Sequence, residues 1–303
     1  MVDAHTELSR TDLPERVKLL GFRDDDREAL LAAVPQVIDD GAVMEQIQRR
    51  AETLAAAVGR IGAASDDPWD GYEADRAGLG GDGLVPILAL LATVDRVRGF
   101  HAERGVPDDV SWRTLSDLGQ QVWVHRLTFD RFGLHTHGWL RVAWSGALYW
   151  LGRLQFNLQR DKDSQEWQIS THIPRTGPLT PESVDASFTE AAGFFARHFP
   201  DFPATELFCS SWLLDPELAA GLPADSNMAR FQRRWTLRGE PRQADGDALF
   251  FTFARRGDFD LDSLPRDTTL QRLIIDRLRS GGHWHVCQGS IPIEPYRRAA
   301  GVA

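Results

Sequence analysis

Histidine is the side chain best suited to move a proton near neutral pH, and this sequence has nine of them. Four form two His-x-His pairs, His135-Thr136-His137 and His283-Trp284-His285. On a strand such a pair points both rings to one side, as many metal sites require. Nothing in the sequence joins the two pairs or supplies a carboxylate, so they read as packing or surface histidines, with no metal expected. His172 stands apart. It belongs to a stretch in which Trp167, Ile169, Thr171 and Ile173 alternate with Gln168, Ser170 and His172. Upstream, Leu154, Phe156 and Leu158 alternate with Arg153, Gln155 and Asn157. Period two marks half-buried strands, and the intervening Asp161-Lys162-Asp163-Ser164 is turn material.

A hairpin centred on that turn sets Leu158 against Trp167, Phe156 against Ile169 and Leu154 against Thr171. Its other face sets Asn157 against Gln168, Gln155 against Ser170 and Arg153 against His172. A slip of one residue would mix the two sets. The polar face is then either the wet side of an antiparallel sheet or the wall of a cleft. In a cleft, Arg153 would depress the pKa of His172 and keep it neutral, able to accept a proton.

The chain continues through Pro174-Arg175-Thr176-Gly177-Pro178-Leu179 to Thr180-Pro181, an N-cap and a first-turn proline. A glycine loop entering a helix can present N–H groups to a phosphate, which makes Pro174, Arg175, Gly177 and Thr180 candidates. Against this, the prolines at 178 and 181 remove donors, and Glu182 competes for the positive end of the helix. A plain connection is the alternative. Cys209-Ser210-Ser211-Trp212 lacks the flanking glycines of a nucleophile elbow, so no serine nucleophile is expected.

The elements that must position these residues fall into two groups. The first ~120 residues read as helices, as in Met44, Ile47, Ala51, Leu54 and Val58 at spacings of three and four. Residues 62–83 form a long Gly- and Asp-rich loop holding Trp69 and Tyr72. Helices follow at about 84–103 and 114–132 and over Trp139–Trp150. The period changes after residue 135. Beyond the hairpin come a helix over 181–198, a buried strand over Leu207–Leu214 and short helices within 217–232. Strands at 233–239 and 248–254, a helix at 268–279 and a last strand over His283–Ser290 complete the chain. The expected fold class is α+β or α/β: an all-helical N-terminal domain over 1–134, then a mixed β-sheet domain flanked by helices over 135–303.

Composition bounds the function. With 303 residues, 42% apolar and 26% charged, the chain is an ordinary globular protein of one or two domains. Its 34 basic and 44 acidic residues give a net charge of −10. That charge repels phosphate backbones and acidic lipid, so neither nucleic acid nor a membrane is an expected partner. Cys209 and Cys287 are too few for a disulfide framework. Met1–Leu20 lacks the apolar core of a secretory signal, and the longest apolar run, Gly83–Val94, is too short to span a bilayer. A cytoplasmic protein is expected.

Three blocks carry a resemblance. The first is His137-Gly138-Trp139 with Leu151-Gly152-Arg153-Leu154-Gln155-Phe156. The second is His172-Ile173-Pro174 with Gly177-Pro178-Leu179-Thr180. The third is Ser211-Trp212-Leu213-Leu214-Asp215-Pro216, followed by Asn227 and Phe231-Gln232. In this order they resemble bacterial acyltransferase-domain proteins that join a helical N-acyltransferase N-terminal domain to a GNAT-like C-terminal domain. The resemblance implies an acyl-CoA thioester as acyl donor, bound where two central strands splay, with its pyrophosphate at the N-terminus of the following helix. Here the strands would be 167–173 and 206–214, and the helix 181–198. The usual Gln/Arg-x-x-Gly-x-Gly/Ala signature is replaced by Arg175-Thr176-Gly177-Pro178. The tyrosine that often protonates the leaving thiol has no counterpart on 217–232, since the tyrosines are Tyr72, Tyr149 and Tyr296. A thiol with pKa near ~8.5 can leave unaided.

Two functions follow. One is an N-acyltransferase acting on an amine of a small molecule or protein. His172 would be the base, with Arg153, Gln155, Ser170, Ser211 and Trp212 around the substrate and Pro174, Arg175, Gly177 and Thr180 at the cofactor. The other is a non-catalytic ligand- or partner-binding protein that keeps the fold.

Overall fold

The computed structural model describes residues 2–63, 65–72 and 81–302. Residues 64 and 73–80 of the expected 62–83 loop lie outside the described residues. The chain divides into two compact units, Met1–Trp150 and Leu151–Ala303.

The first unit is helical: α1 (Ala4–Leu8), α2 (Leu13–Leu19), α3 (Asp24–Asp39), α4 (Gly41–Ala57), α5 (Leu84–Ala92), α6 (Val94–Glu103), α7 (Asp108–Leu115), α8 (Asp117–Phe129) and α9 (His137–Trp144). Asp40 ends α3 and caps α4, accepting bonds from the amides of Ala42 and Val43 at 3.0 and 3.1 Å. Every residue of α5 is buried, as a helix that is apolar all round requires. The single helix expected over 84–103 breaks at Thr93, whose hydroxyl donates to the carbonyls of Ala89 and Leu90 instead of staying outside the ladder. The helix expected over 114–132 is α8, and a separate helix that the sequence pattern did not mark, α7, precedes it and ends at Ser116.

The helix expected over Trp139–Trp150 stops at Trp144. Gly146 has φ +80°, and a Cβ there would lie 2.4 Å from the Phe100 ring, so the chain turns and Leu148–Leu151 form strand β1. Leu-Tyr-Trp-Leu suits a strand as well as a helix. Because α9 packs on α4, α5 and α7, the compact units part after residue 150, not at 134/135.

The remaining strands are β2 (Leu154–Arg160), β3 (Trp167–His172), β4 (Glu206–Ser211), β5 (Thr236–Gln243) and β6 (His285–Pro292), in the sheet order β1-β2-β3-β4-β6-β5. Only β3 and β4 run parallel among the pairings of β2 through β6. The helices are α10 (Pro181–His198), α11 (Pro216–Gly221), α12 (Asn227–Gln232), α13 (Asp245–Phe253), α14 (Thr269–Arg279) and α15 (Glu294–Ala299). Residues 248–254, expected as a strand, lie in α13 and its C-cap. Asp245 and Asp247 occupy its first turn, where the helix dipole favours acids, and Ala254 closes it in the left-handed conformation. The expected strand at 233–239 begins later, at Thr236.

The hairpin pairs Gln155 with His172, Phe156 with Thr171, Asn157 with Ser170, Leu158 with Ile169 and Gln159 with Gln168. This is two residues away from the expected register, so Gln155, not Arg153, faces His172. The turn is displaced by one residue: the Asp161 amide donates to the Glu166 carbonyl at 2.8 Å, which makes 162–165 the loop in place of 161–164, and Gln165 takes φ +61°. A shift of two keeps every side chain on its expected face.

The apolar face packs on α10, with Phe156 and Phe188 rings edge-on at 6.2 Å and Phe188 against Trp235 and Tyr296. The polar face is not a wet side. Gln155, Asn157, Gln168 and Ser170 are all buried.

Candidate active site

Six polar residues share the inner face of β2 and β3: Gln155, Asn157, Gln159, Gln168, Ser170 and His172. His172 Nε2 lies 2.5 Å from Asn157 Oδ1. Asn157 Nδ2 donates to the Leu158 carbonyl at 3.1 Å, which turns Oδ1 toward the imidazole. Oδ1 can only accept, so Nε2 carries the proton and Nδ1 the lone pair. Burial pushes the His172 pKa down to about 4. The imidazole is therefore neutral at physiological pH. The expected direction holds, but its cause is lost hydration and not the charge of Arg153.

Further down the same face, the Arg238 guanidinium donates to Gln168 Oε1 at 2.8 Å and pairs with Asp161 at 2.9 Å and Glu206 at 2.8 Å. It also lies 4.9 Å from the Phe208 ring centroid. These contacts tie the hairpin turn, β3, β4 and β5 together.

The parallel pair is short. Its partners are Ile169 with Leu207, Ser170 with Phe208 and Thr171 with Cys209, and pairing ends there. Past Thr171 one strand enters the loop to α10. Past Cys209 the other runs to Ser211, which caps the turn Trp212–Leu214 by accepting from the Leu213 amide at 3.1 Å. Two parallel strands that part at their carboxyl ends, beside the N-terminus of the following helix, form the crevice where open α/β sheets take ligands.

Arg153 holds that loop. Its guanidinium donates to the carbonyls of Pro174 (3.1 Å), Gly177 (2.9 Å) and Pro178 (3.2 Å). Its amide donates to Ser187 Oγ at 2.7 Å on α10. Among the described residues it has no carboxylate partner within ion-pair distance. In a planar trans peptide the N–H points opposite to the carbonyl. Turning the Pro174 and Pro178 carbonyls to Arg153 therefore turns the Arg175 and Leu179 amides away from it. Thr180 caps α10 through Ser183 N at 3.3 Å, and the Arg175 side chain donates to the Phe251 carbonyl at 2.8 Å.

Residues 11–146 match the N-acyltransferase N-terminal domain family, and residues 148–291 match the GNAT-like C-terminal domain family. Solved acyltransferase structures share this architecture. A mutant in complex with octanoyl-CoA is 34% identical, with 93% of this chain and 88% of that chain covered, at a TM-score of 0.84. A second, in complex with decanoyl-CoA and teicoplanin, is 35% identical over 92% and 87% of the two chains, at 0.83. A third, with CoA and 10C-teicoplanin, is 34% identical over 94% and 88%, at 0.84. The chain belongs to this acyltransferase family. No curated protein matches it.

Within this acyltransferase the sequence-derived candidates divide. His172, Gln155 and Ser170 share one face. Pro174, Arg175, Gly177 and Thr180 are in the loop and cap beside it, but the Arg175 side chain and the Thr180 hydroxyl are engaged in protein contacts. Arg153 serves the loop carbonyls. Ser211 falls on the opposite face of the sheet by strand parity, and Trp212 is buried beside it.

The other histidines are dispersed. His135 meets His125 at 3.2 Å, His137 sits edge-on between Trp69 and Tyr72, His283 bonds Asp245 and His285 bonds Asp215. Among the described residues no three His, Cys, Asp or Glu side chains are grouped to hold a metal ion, and no helix is long and apolar enough to cross a membrane. Asn157, Arg238, Asp161 and Glu206 were absent from the sequence-derived site. Asn157 was detectable as the neighbour of Gln155 on one face, whereas the other three come together only through the sheet's tertiary path.

Proposed function

We propose that the protein transfers an acyl group from acyl-CoA to an amine of a small molecule, with His172 as general base. The supporting observation is the His172–Asn157 pair at the point where β3 and β4 part. A neutral imidazole oriented by a second side chain is the arrangement that proton removal from an attacking nucleophile needs. Solved relatives hold octanoyl-CoA or decanoyl-CoA and teicoplanin, so a medium-chain acyl-CoA and an amine-bearing glycopeptide are the substrate classes this reading carries over. A cytoplasmic location belongs to the same reading.

The amine nitrogen attacks the thioester carbon and a C–N bond forms. His172 Nδ1 takes the amine proton. Collapse of the intermediate breaks the C–S bond, and the CoA thiolate leaves and takes up a proton. Loop amides turned away from Arg153 are suited to the CoA pyrophosphate.

The test is release of free thiol from octanoyl-CoA in the presence of a teicoplanin-type acceptor, with the acylated product seen by mass spectrometry. His172→Ala lowers kcat by about 10²–10⁴ and leaves octanoyl-CoA affinity within a few-fold. Full turnover by the variant refutes the base assignment. Octanoyl-CoA binding without turnover by the wild-type protein favours a binding protein that keeps the fold.

A further inference from the structure

Gln155 is the most exacting residue of the inner face. It is 2% exposed, and its Nε2 has no hydrogen-bond partner among the described residues. A buried amide donor without an acceptor is destabilising, so such a group calls for a functional explanation. Gln155 also sits directly across from His172 in the hairpin register. Directly opposed side chains on one face of an antiparallel pair have Cβ atoms about 4.5–5.5 Å apart. The orphan donor and the base therefore border the same small volume, and Asn157, two residues along β2, holds the imidazole by its far nitrogen.

We infer that Gln155 is a catalytic residue whose side-chain amide donates to the thioester oxygen as that oxygen gains negative charge. The inference rests on the acyltransferase reading and adds to it a second group acting on the reacting atoms. As the amine attacks, the carbonyl electron pair moves onto oxygen. The amine proton passes to His172, and the oxyanion accepts from Gln155 Nε2. When the C–S bond breaks, the carbonyl reforms and the donor is released. A preorganised donor in a water-poor site stabilises such charge without reorganisation at the moment of reaction. The cost of leaving Nε2 unmatched in the resting protein is then the stability given up for that preorganisation.

Two variants separate this role from packing. Gln155→Leu removes the donor and leaves an apolar side chain. Gln155→Glu keeps the shape and replaces the donor with an acceptor. Both are expected to lower kcat by about 10²–10³, with KM for octanoyl-CoA within about threefold of wild type. Gln155→Leu is expected to melt at or above the wild-type temperature, because it removes the orphan donor. The carbonyl stretch of bound carbonyl-labelled octanoyl-CoA, read by infrared difference spectroscopy, gives a signature that needs no acceptor. It shifts to lower wavenumber in the wild-type protein and returns toward the free-ligand position in Gln155→Leu. An unchanged kcat, an unshifted stretch in a bound wild-type complex, or a kcat loss matched by lost melting temperature overturns the inference and leaves the acyltransferase reading standing. A wild-type protein that binds no octanoyl-CoA overturns both.

Discussion

Arg153→Ala is the most informative single perturbation of the loop that leads into α10. The side chain makes three hydrogen bonds to loop carbonyls. Pro174 is buried, whereas Gly177 and Pro178 are exposed. A charged donor to a buried carbonyl contributes about 1.5–3 kcal/mol, while exposed carbonyls rehydrate and lose only about 0.5 kcal/mol each. The sum is about 3 kcal/mol for the alanine variant. At 2–4 °C per kcal/mol for a unit of this size, the melting temperature falls by roughly 6–12 °C. If ligand binding must reform the loop, the same energy weakens octanoyl-CoA affinity by up to about 100-fold.

Arg153→Lys is the control. Lysine keeps the charge but offers a point donor in place of a planar fork, so it restores no more than one of the three bonds and about a third of the loss. Differential scanning calorimetry and titration of octanoyl-CoA read both quantities. Recovery of wild-type stability and affinity by the lysine variant refutes the clamp and makes charge alone the contribution of Arg153. An alanine variant that melts like wild type yet loses affinity makes Arg153 a direct ligand of the CoA phosphates.

Two further outcomes concern stability. Gly152 has φ +59°, and a Cβ there would lie 2.5 Å from Ser187 Oγ; Gly152→Ala is expected to destabilise by about 1–3 kcal/mol, seen as a lower urea midpoint, and an unchanged midpoint would show that the turn can relax. Burial holds His101, His125 and His172 at about 4 in the folded protein, against ~6.5 when unfolded. Between those values the unfolded chain binds more protons, so stability is complete above pH ~6.5 and is lost as pH falls toward 4, by up to roughly 3 kcal/mol per histidine. A urea midpoint that stays flat from pH 7 to 5 contradicts this.

Alternation along 154–158 and 167–173 determined by itself which side chains share a face, because successive side chains on a strand point to opposite sides whatever the partner. It therefore set Gln155 with Asn157 and Ser170 with His172, and the need to match apolar with apolar across the hairpin set the two pairs on one face. The exact partner depended on where the four-residue turn is centred: it falls one residue later than the four polar residues suggest, and the resulting shift of two moved Gln155 opposite His172 without changing a face. Apolar runs too short to show a period were not legible: Leu148–Leu151 became strand and 248–253 became helix. In both, local preference is weak, and neighbouring contacts and end caps decide. The Arg153 clamp and the Arg238 network join residues about 20–75 positions apart along the chain. No local pattern encodes such contacts, since they exist only once the sheet and the loop have brought distant backbone within one side chain's reach.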